Sequence, residues 1–177
     1  MRFFLIVLLF AGLPLSLAAD EQVTDEAEVH AREGSQVVVR FVHPDELTDL
    51  KVRRQHPQQV RAEFARAIQD WFRGPGSRLL GDKQLEIDFI DVEMAGEIQP
   101  WRTQWMHDIR YVKPLFPARL VFDYRVLDAQ GNELAADRVD QRRFPGEGVR
   151  ASRRYQPFQH EVAIIADWWR RFDRLNG

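Results

Sequence analysis

Two carboxylates and a histidine stand close together in the segment D-V-E-M-A-G-E-I-Q-P-W-R-T-Q-W-M-H-D-I-R, positions 91–110. On a strand, Asp91 and Glu93 lie on the same side, about 7 Å apart at a rise of ~3.4 Å per residue. Together with His107 they have the side-chain types of a metal-assisted hydrolase or of a general acid–base pair. No H-E-x-x-H or calcium-loop signature accompanies them, and a solvated strand face is the alternative.

Two tryptophans in the same segment suggest a binding surface. Trp101 and Trp105 are four positions apart, and Arg102 and Asp108 are close to them in sequence. If this piece is helical, the two rings share one side and, with the charged neighbours, offer a surface for a sugar or a partner peptide. Tryptophan favours interfaces because its ring is large and apolar with one polar edge. The alternative is that both rings fold back over the open edge of the core.

Other catalytic signatures are missing from the chain. There is no G-x-S-x-G, G-x-G-x-x-G or P-loop sequence, so neither nucleophilic hydrolysis nor a nucleotide cofactor is indicated. The chain has no cysteine, which excludes disulfides, a catalytic thiol and cysteine metal sites. We therefore expect no cofactor, and a protein without enzymatic activity is favoured over the hydrolase.

The charge of the chain limits its partners. A net charge of −2 argues against nucleic acid or an anionic membrane, since both require a basic face. An arginine cluster near the end of the chain is a further hypothesis, as a site for an anionic envelope component or as scattered charge in a loop; it comprises Arg142, Arg143, Arg150, Arg153 and Arg154.

The first eighteen positions have the pattern of a signal peptide. Arg2 precedes an apolar run at positions 3–17, and Ser16 and Ala18 supply the small residues of a cleavage site. The run is short for a transmembrane helix, which needs roughly 20 residues. We expect residues 1–18 to be removed, leaving a periplasmic or secreted protein with no transmembrane segment; an uncleaved anchor is the alternative.

Hydrophobic periodicity then predicts the elements that position these residues. Residues 19–35 are acidic without apolar periodicity and predict a flexible leader, so that one domain spans 36–177. The β-branched run at 36–42 predicts a strand. Helices are predicted from Pro57 to the stop at 74–76 and from Pro157 onward, each with one apolar stripe.

Two further patterns predict strands. In Q-L-E-I-D-F-I-D-V-E-M, at 84–94, the apolar phase changes at Phe89 and Ile90, which predicts a β-bulge or a strand that changes its buried side. Residues 109–113 predict a short strand. The alternation from 118 to 128, the turn at Gly131 and the returning segment predict a β-hairpin with a charged outer face. The resulting fold class is α+β, a mainly antiparallel sheet with two amphipathic helices packed on one face.

Several of these segments together resemble a known family. V-V-V-R-F-V-H-P-D-E-L-T-D, D-V-E-M-A-G-E, D-I-R-Y-V-K-P-L-F-P-A-R-L-V-F-D-Y-R-V-L-D-A-Q-G and D-W-W-R-R-F, within 37–172, are similar to exported proteobacterial proteins known as a domain of unknown function. Typical members are expected to have Asp-Leu in place of Glu93-Met94. The resemblance implies a periplasmic single domain and supplies no catalytic residue or cofactor. The function expected is therefore binding of an envelope protein or polysaccharide through the 101–108 loop, with the hydrolase as the alternative.

Overall fold

The computed structural model describes residues 27–52, 54–99, 101, 110–146 and 158–176. The elements in chain order are β1 (Glu28–His30), β2 (Val37–Phe41), α1 (Pro57–Arg73), the single-turn α2 (Ser77–Leu80), β3 (Gln84–Glu93), β4 (Glu97–Ile98), β5 (Arg110–Tyr111), β6 (Ala118–Leu127), β7 (Glu133–Arg143) and α3 (Gln159–Asn176).

Five of the strands form one sheet in the order β1-β2-β3-β6-β7. Three of its four pairings are antiparallel, and β2 pairs in parallel with β3. Parallel neighbours need a crossover connection, and here α1 and α2 supply it. The sequence predicted both β2 and β3 as strands, but it did not predict their parallel pairing.

Both long helices pack on the same face of this sheet. The ring of Phe64 on α1 lies 5.2 Å from that of Phe89 on β3, and Trp168 on α3 lies 5.1 Å from Phe122 on β6. The predicted α+β class and the predicted placement of the helices are therefore confirmed. Other large side chains of this core that are fully buried are Phe41, Ile68, Phe72, Leu85, Ile87, Leu120, Ile164, Ile165 and Trp169.

The β-bulge predicted in β3 is confirmed. Phe89 pairs with Phe122 and Asp91 pairs with Val121, so Ile90 has no partner on β6. The extra residue resets the alternation, which keeps both Phe89 and Val92 in the core. As a result, the acidic side chains on both sides of the bulge stay on the outer face.

The first strand corrects one expectation. Glu28–His30, within the segment 19–35 predicted as a flexible leader, forms β1 and pairs antiparallel with β2. Arg61 of α1 binds the carboxylate of Glu28 and donates a hydrogen bond to the carbonyl of Pro44 at 3.1 Å. For these three residues the prediction is wrong. A strand this short has too few residues to show periodicity, and contacts distant in sequence stabilise it.

The short strand predicted at 109–113 is present as β5, but it does not join the main sheet. It pairs with β4 to form a two-stranded ribbon, with Glu97 opposite Tyr111 and Ile98 opposite Arg110. The predicted hairpin is also confirmed, as β6 and β7 joined at a turn in which Gly131 has φ 86°. Among the described residues, no helix is both long enough and apolar enough to cross a membrane.

Candidate functional site

The bulge of β3 places Asp91 and Glu93 beside the same arginine. Nη1 of Arg119, on β6, lies 3.5 Å from Oδ2 of Asp91 and 3.2 Å from Oε1 of Glu93. The other edge of the same guanidinium binds Asp140 of β7 at 2.9 and 2.8 Å. The hydrogen bonds to Asp140, foremost, and to Glu93 raise the pKa of Arg119 above its usual range. The two carboxylates do share one side of the strand, as predicted, and a fixed cation lies between them.

Asp91 also has a structural role. Its Oδ1 accepts hydrogen bonds of 2.9 Å from the backbone N–H groups of Thr48 and Val92, which fastens the loop after β2 to β3. No group of three or more metal-ligating side chains occurs within the part of the chain that the structure describes. His107 lies outside that part, so the three-residue hydrolase site stays a prediction.

The rest of the outer face is a network of alternating charges. Arg40 of β2 binds Glu86 at 3.1 Å and Asp88 at 2.9 Å, both on β3. Glu86 also binds Arg125 of β6. The hydrogen bonds from Arg40 and then Arg125 hold the pKa of Glu86 below its usual value, against the opposite effect of burial. Paired charges of this kind stabilise a solvated sheet face and leave few groups for a substrate.

A shallow depression of about 340 Å³ lies on the β6–β7 hairpin. Three of its lining side chains are charged residues of the outer face, namely Asp88, Asp123 and Arg125. Each already has a partner: Asp88 binds Arg40, Asp123 binds Arg138, and Arg125 binds Glu86. Asp137, the fourth charged residue of the lining, accepts a hydrogen bond of 2.7 Å from the backbone N–H of Arg138. Because each of these charged groups already has a contact within the chain, we assign no ligand to this depression.

A second polar cluster lies where β3 ends and the ribbon begins, and sequence reasoning missed it. Arg110 of β5 binds both carboxylate oxygens of Asp49 at 2.8 Å, and its Nη1 also donates to the carbonyl of Gly96 at 3.1 Å. This two-pronged geometry suits the planar guanidinium and fixes direction as well as distance. Because Asp49 and Arg110 are 61 positions apart, no local pattern in the sequence indicated the pair.

Glu161 anchors the same region to the last helix. Its side chain is 2% exposed, and Oε1 accepts a hydrogen bond of 2.8 Å from the backbone N–H of Ala95. Burial raises the pKa of this carboxyl group, opposed by that hydrogen bond, by its own backbone N–H and by the charge of Arg110. A buried acid with a perturbed pKa is a common mark of a functional site. Here its observed contact is structural, since it ties the first turn of α3 to the β3–β4 connection.

Close backbone packing holds the ribbon in place. Gly96 has φ 87°, and a Cβ at this position would lie 2.4 Å from the carbonyl oxygen of Tyr111. Only glycine fits both the left-handed conformation and this approach. Lys113 and Glu97 form an ion pair of 2.9 Å at the same place.

Three apolar side chains close in sequence to the ribbon strands are exposed. Trp101 is 72% exposed, Val112 is 49% exposed and Leu115 is 76% exposed. Exposure of Trp101 contradicts, for this ring, the alternative in which it covers the core. The other predicted binding residues, Arg102, Trp105 and Asp108, lie outside the described residues, as do Arg150, Arg153 and Arg154 of the arginine cluster. Of that cluster, Arg143 binds Asp167 of α3.

Fold and site together define an α+β domain whose sheet carries two helices on one face and a charge network on the other, with an exposed aromatic ring beside a short ribbon. Residues 35–171 match the family described as "Protein of unknown function (DUF3016)". The chain belongs to this family, as the resemblance of its motifs to a domain of unknown function implied. No curated protein and no solved structure matches the chain.

Proposed function

We propose that this protein is a non-enzymatic binding domain of the periplasm that holds an envelope protein or polymer on the surface around Trp101. The observation that carries the proposal is the 72% exposure of this tryptophan. Solvent exposure of a large aromatic ring is unfavourable, and such rings supply much of the affinity when a partner covers them.

The attachment of the ring supports this role. Trp101 follows β4, and β4 belongs to the ribbon that Arg110 fastens to Asp49 and to the carbonyls of Met94 and Gly96. Glu161 fastens the same connection from the helix side. A binding residue close to rigid elements loses less conformational freedom on association, so more of its contact energy appears as affinity.

The envelope as the location of the partner follows from the expected signal peptide at 1–18. An exported protein meets envelope proteins and cell-wall polymers, and a polysaccharide or peptide chain is a partner that tryptophan rings recognise through their apolar faces. Val112 and Leu115, exposed next to the ribbon, extend the apolar surface available to such a partner.

The test uses the protein produced with its own N-terminal segment and purified from the envelope fraction. Binding to isolated peptidoglycan and to cross-linked envelope proteins is quantified for the wild type, for Trp101→Ala and for Trp101→Ala with Trp105→Ala. We expect a loss of about thirty-fold or more in affinity, the effect of removing a hot-spot residue.

The matched control is Leu175→Ala, because this leucine is 83% exposed and lies near the opposite end of α3 from Glu161. This variant should bind as the wild type does. Unchanged binding by the tryptophan variants would refute the proposal. A large drop in their melting temperature would instead show that the rings stabilise the fold.

A further inference from the structure

Among the described residues, β7 is the last strand at one edge of the sheet. β6 lies on one side of β7, and no strand among the described residues pairs with its other side. β7 has 11 residues, whereas β1 at the opposite edge of the sheet has 3. A long edge strand presents a row of backbone N–H and C=O groups that another chain can bind. We propose that β7 pairs antiparallel with β7 of a second copy, across a two-fold axis at Val139.

The regular part of β7 defines this axis. A register shift near Leu127 leaves Leu134 without a partner on β6, so the uninterrupted pairing runs from Ala135 to Arg143. Val139 is the midpoint of that run. A two-fold axis there pairs every residue of the regular segment with a residue of the second copy, which makes the interface self-complementary.

Charge complementarity favours the same register. With the axis at Val139, Arg138 lies opposite Asp140 of the second copy, and Asp140 lies opposite Arg138 of the second copy. Both side chains keep solvent exposure for this contact, 63% for Arg138 and 54% for Asp140. Within its own chain Arg138 binds Asp123, and Asp140 binds Arg119. The alternation of charge on the outer face thus continues across the interface without a like-charged pair.

The two adjacent registers are unfavourable. In a two-fold antiparallel pairing, residues of the outer face must lie opposite residues of the outer face. The adjacent registers that satisfy this condition have the two-fold axis at Arg138 or at Asp140. One of them places Arg138 opposite Arg138 of the second copy, and the other places Arg138 opposite Arg142. Like charges directly opposite on neighbouring strands destabilise the pairing. The register centred at Val139 avoids both.

Apolar side chains support the pairing at the centre and at the ends. Val139, itself buried at 9% exposure, meets Val139 of the second copy beneath the sheet. Leu134 is 53% exposed and Phe144 is 46% exposed, one on each side of the regular segment. The two-fold axis brings Leu134 of each copy to the level of Phe144 of the other. Pairing would therefore cover apolar surface that the single chain leaves in water.

Cysteine cross-linking tests the register directly, because the chain has no cysteine of its own. Ala136 and Arg142, both exposed, would lie opposite one another in the two copies. We expect a mixture of the Ala136→Cys and Arg142→Cys proteins to give a disulfide-linked heterodimer on mild oxidation. Each variant alone should give little, since six residues at ~3.4 Å separate a position from its own copy by about 20 Å, and a disulfide needs a Cα–Cα distance below ~7 Å.

Charge substitutions test the affinity. The change Ala136→Glu places an acid opposite Arg142 of the second copy and should strengthen dimerisation, whereas Ala136→Lys should weaken it. With two equivalent contacts per dimer, each change should alter the dissociation constant roughly two- to thirty-fold, as measured by sedimentation of the purified protein. The same changes at Gln130, an exposed turn residue outside β7, are the matched control and should leave the dissociation constant of the dimer unchanged.

Each alternative occupant of the edge gives a distinct result. A monomer at all concentrations, without heterodimer cross-links, would overturn the proposal, and coverage of the edge by residues 147–157 would produce that result. A dimer insensitive to both changes at Ala136 would also overturn it, because the interface would then lie elsewhere. The proposed pairing uses residues of β7 and Phe144, whereas the proposed function depends on Trp101, so failure of the pairing would leave the proposed function untouched.

Discussion

Replacement of Glu161 by glutamine gives a pH-dependent change in stability whose sign follows from burial. The wild-type carboxyl group is 2% exposed, and burial raises its pKa above the ordinary value of 4.5. Glutamine has nearly the same shape and retains an oxygen that can accept the hydrogen bond from Ala95 N–H. The variant therefore removes the titration while keeping the contact.

The direction of the effect follows from proton linkage. Below pH 4.5, the ordinary pKa of this group, the carboxyl group is protonated in both folded and unfolded protein, so its contribution to stability is fully present. As the pH rises, the unfolded chain releases its proton first, and stability is lost until the pH passes the folded-state pKa. The advantage of the Glu161→Gln variant should therefore grow with pH in this window, at up to about 1.4 kcal/mol per pH unit.

Urea denaturation at several pH values from acid to neutral measures this difference. The free energy of unfolding of the Glu161→Gln protein minus that of the wild type should be constant at the acid end and should increase above it. Glu133→Gln, the same chemical change at an exposed residue, reports the general effect of removing one negative charge. A difference that stays constant, or that falls as the pH rises, would refute the reasoning. It would mean that Ala95 N–H, the helix N-terminus and Arg110 outweigh burial.

Other contacts in the core and at the candidate site lead to four further predictions. Gly96→Ala should destabilise the protein by more than ~2 kcal/mol in thermal and urea unfolding. The control Gly131→Ala should destabilise it less, because Gly131 also has a positive φ but has no atom within 4 Å of an added Cβ. Trp169→Ala, at a side chain with 0% exposure, should cost ~3–5 kcal/mol, whereas Leu175→Ala should cost little by the same measurement. Arg119→Gln should lower the free energy of unfolding by about 1 kcal/mol at low salt. The loss should be smaller in 1 M sodium chloride, because the screening length there is only ~3 Å. A loss that does not depend on salt would show that packing, and not charge, is responsible. Because Arg119 already binds Asp91 and Glu93, zinc, manganese and calcium should leave the melting temperature of the purified protein unchanged, and a rise with one metal bound per chain would favour the hydrolase.

The two long helices and the hairpin were predictable because each depends on a periodic local pattern. The apolar stripe of α1 and its Pro57 start, and the alternation of β6, reflect burial of one face, which the order of residues records directly. The bulge of β3 was predictable for the same reason. A change of phase at Ile90 leaves only a few ways to keep both halves of the strand in one core.

The candidate site was predictable only in part. Asp91 and Glu93 were expected on one side of a strand, but Arg119, 28 positions after Asp91, was not expected between them. Exposure of Trp101 was one of two alternatives that the sequence left open. Glu161 gave no signal, since an acid in the first turn of a helix is ordinary, and its burial depends on the connection that ends at Ala95.

The order of residues alone predicted the two long helices and the strands β2, β3, β6 and β7, the apolar face of each helix and of the hairpin, and the common strand face of the two carboxylates. These properties depend on neighbours in the chain and on the repeat of the backbone. Three features became evident from the three-dimensional fold alone: β2 and β3 run parallel, β1 belongs to the sheet, and Arg110 contacts Asp49 although they are 61 positions apart. Such partners are chosen by packing of whole elements, and hydrogen bonds between residues far apart in sequence leave no local pattern to read.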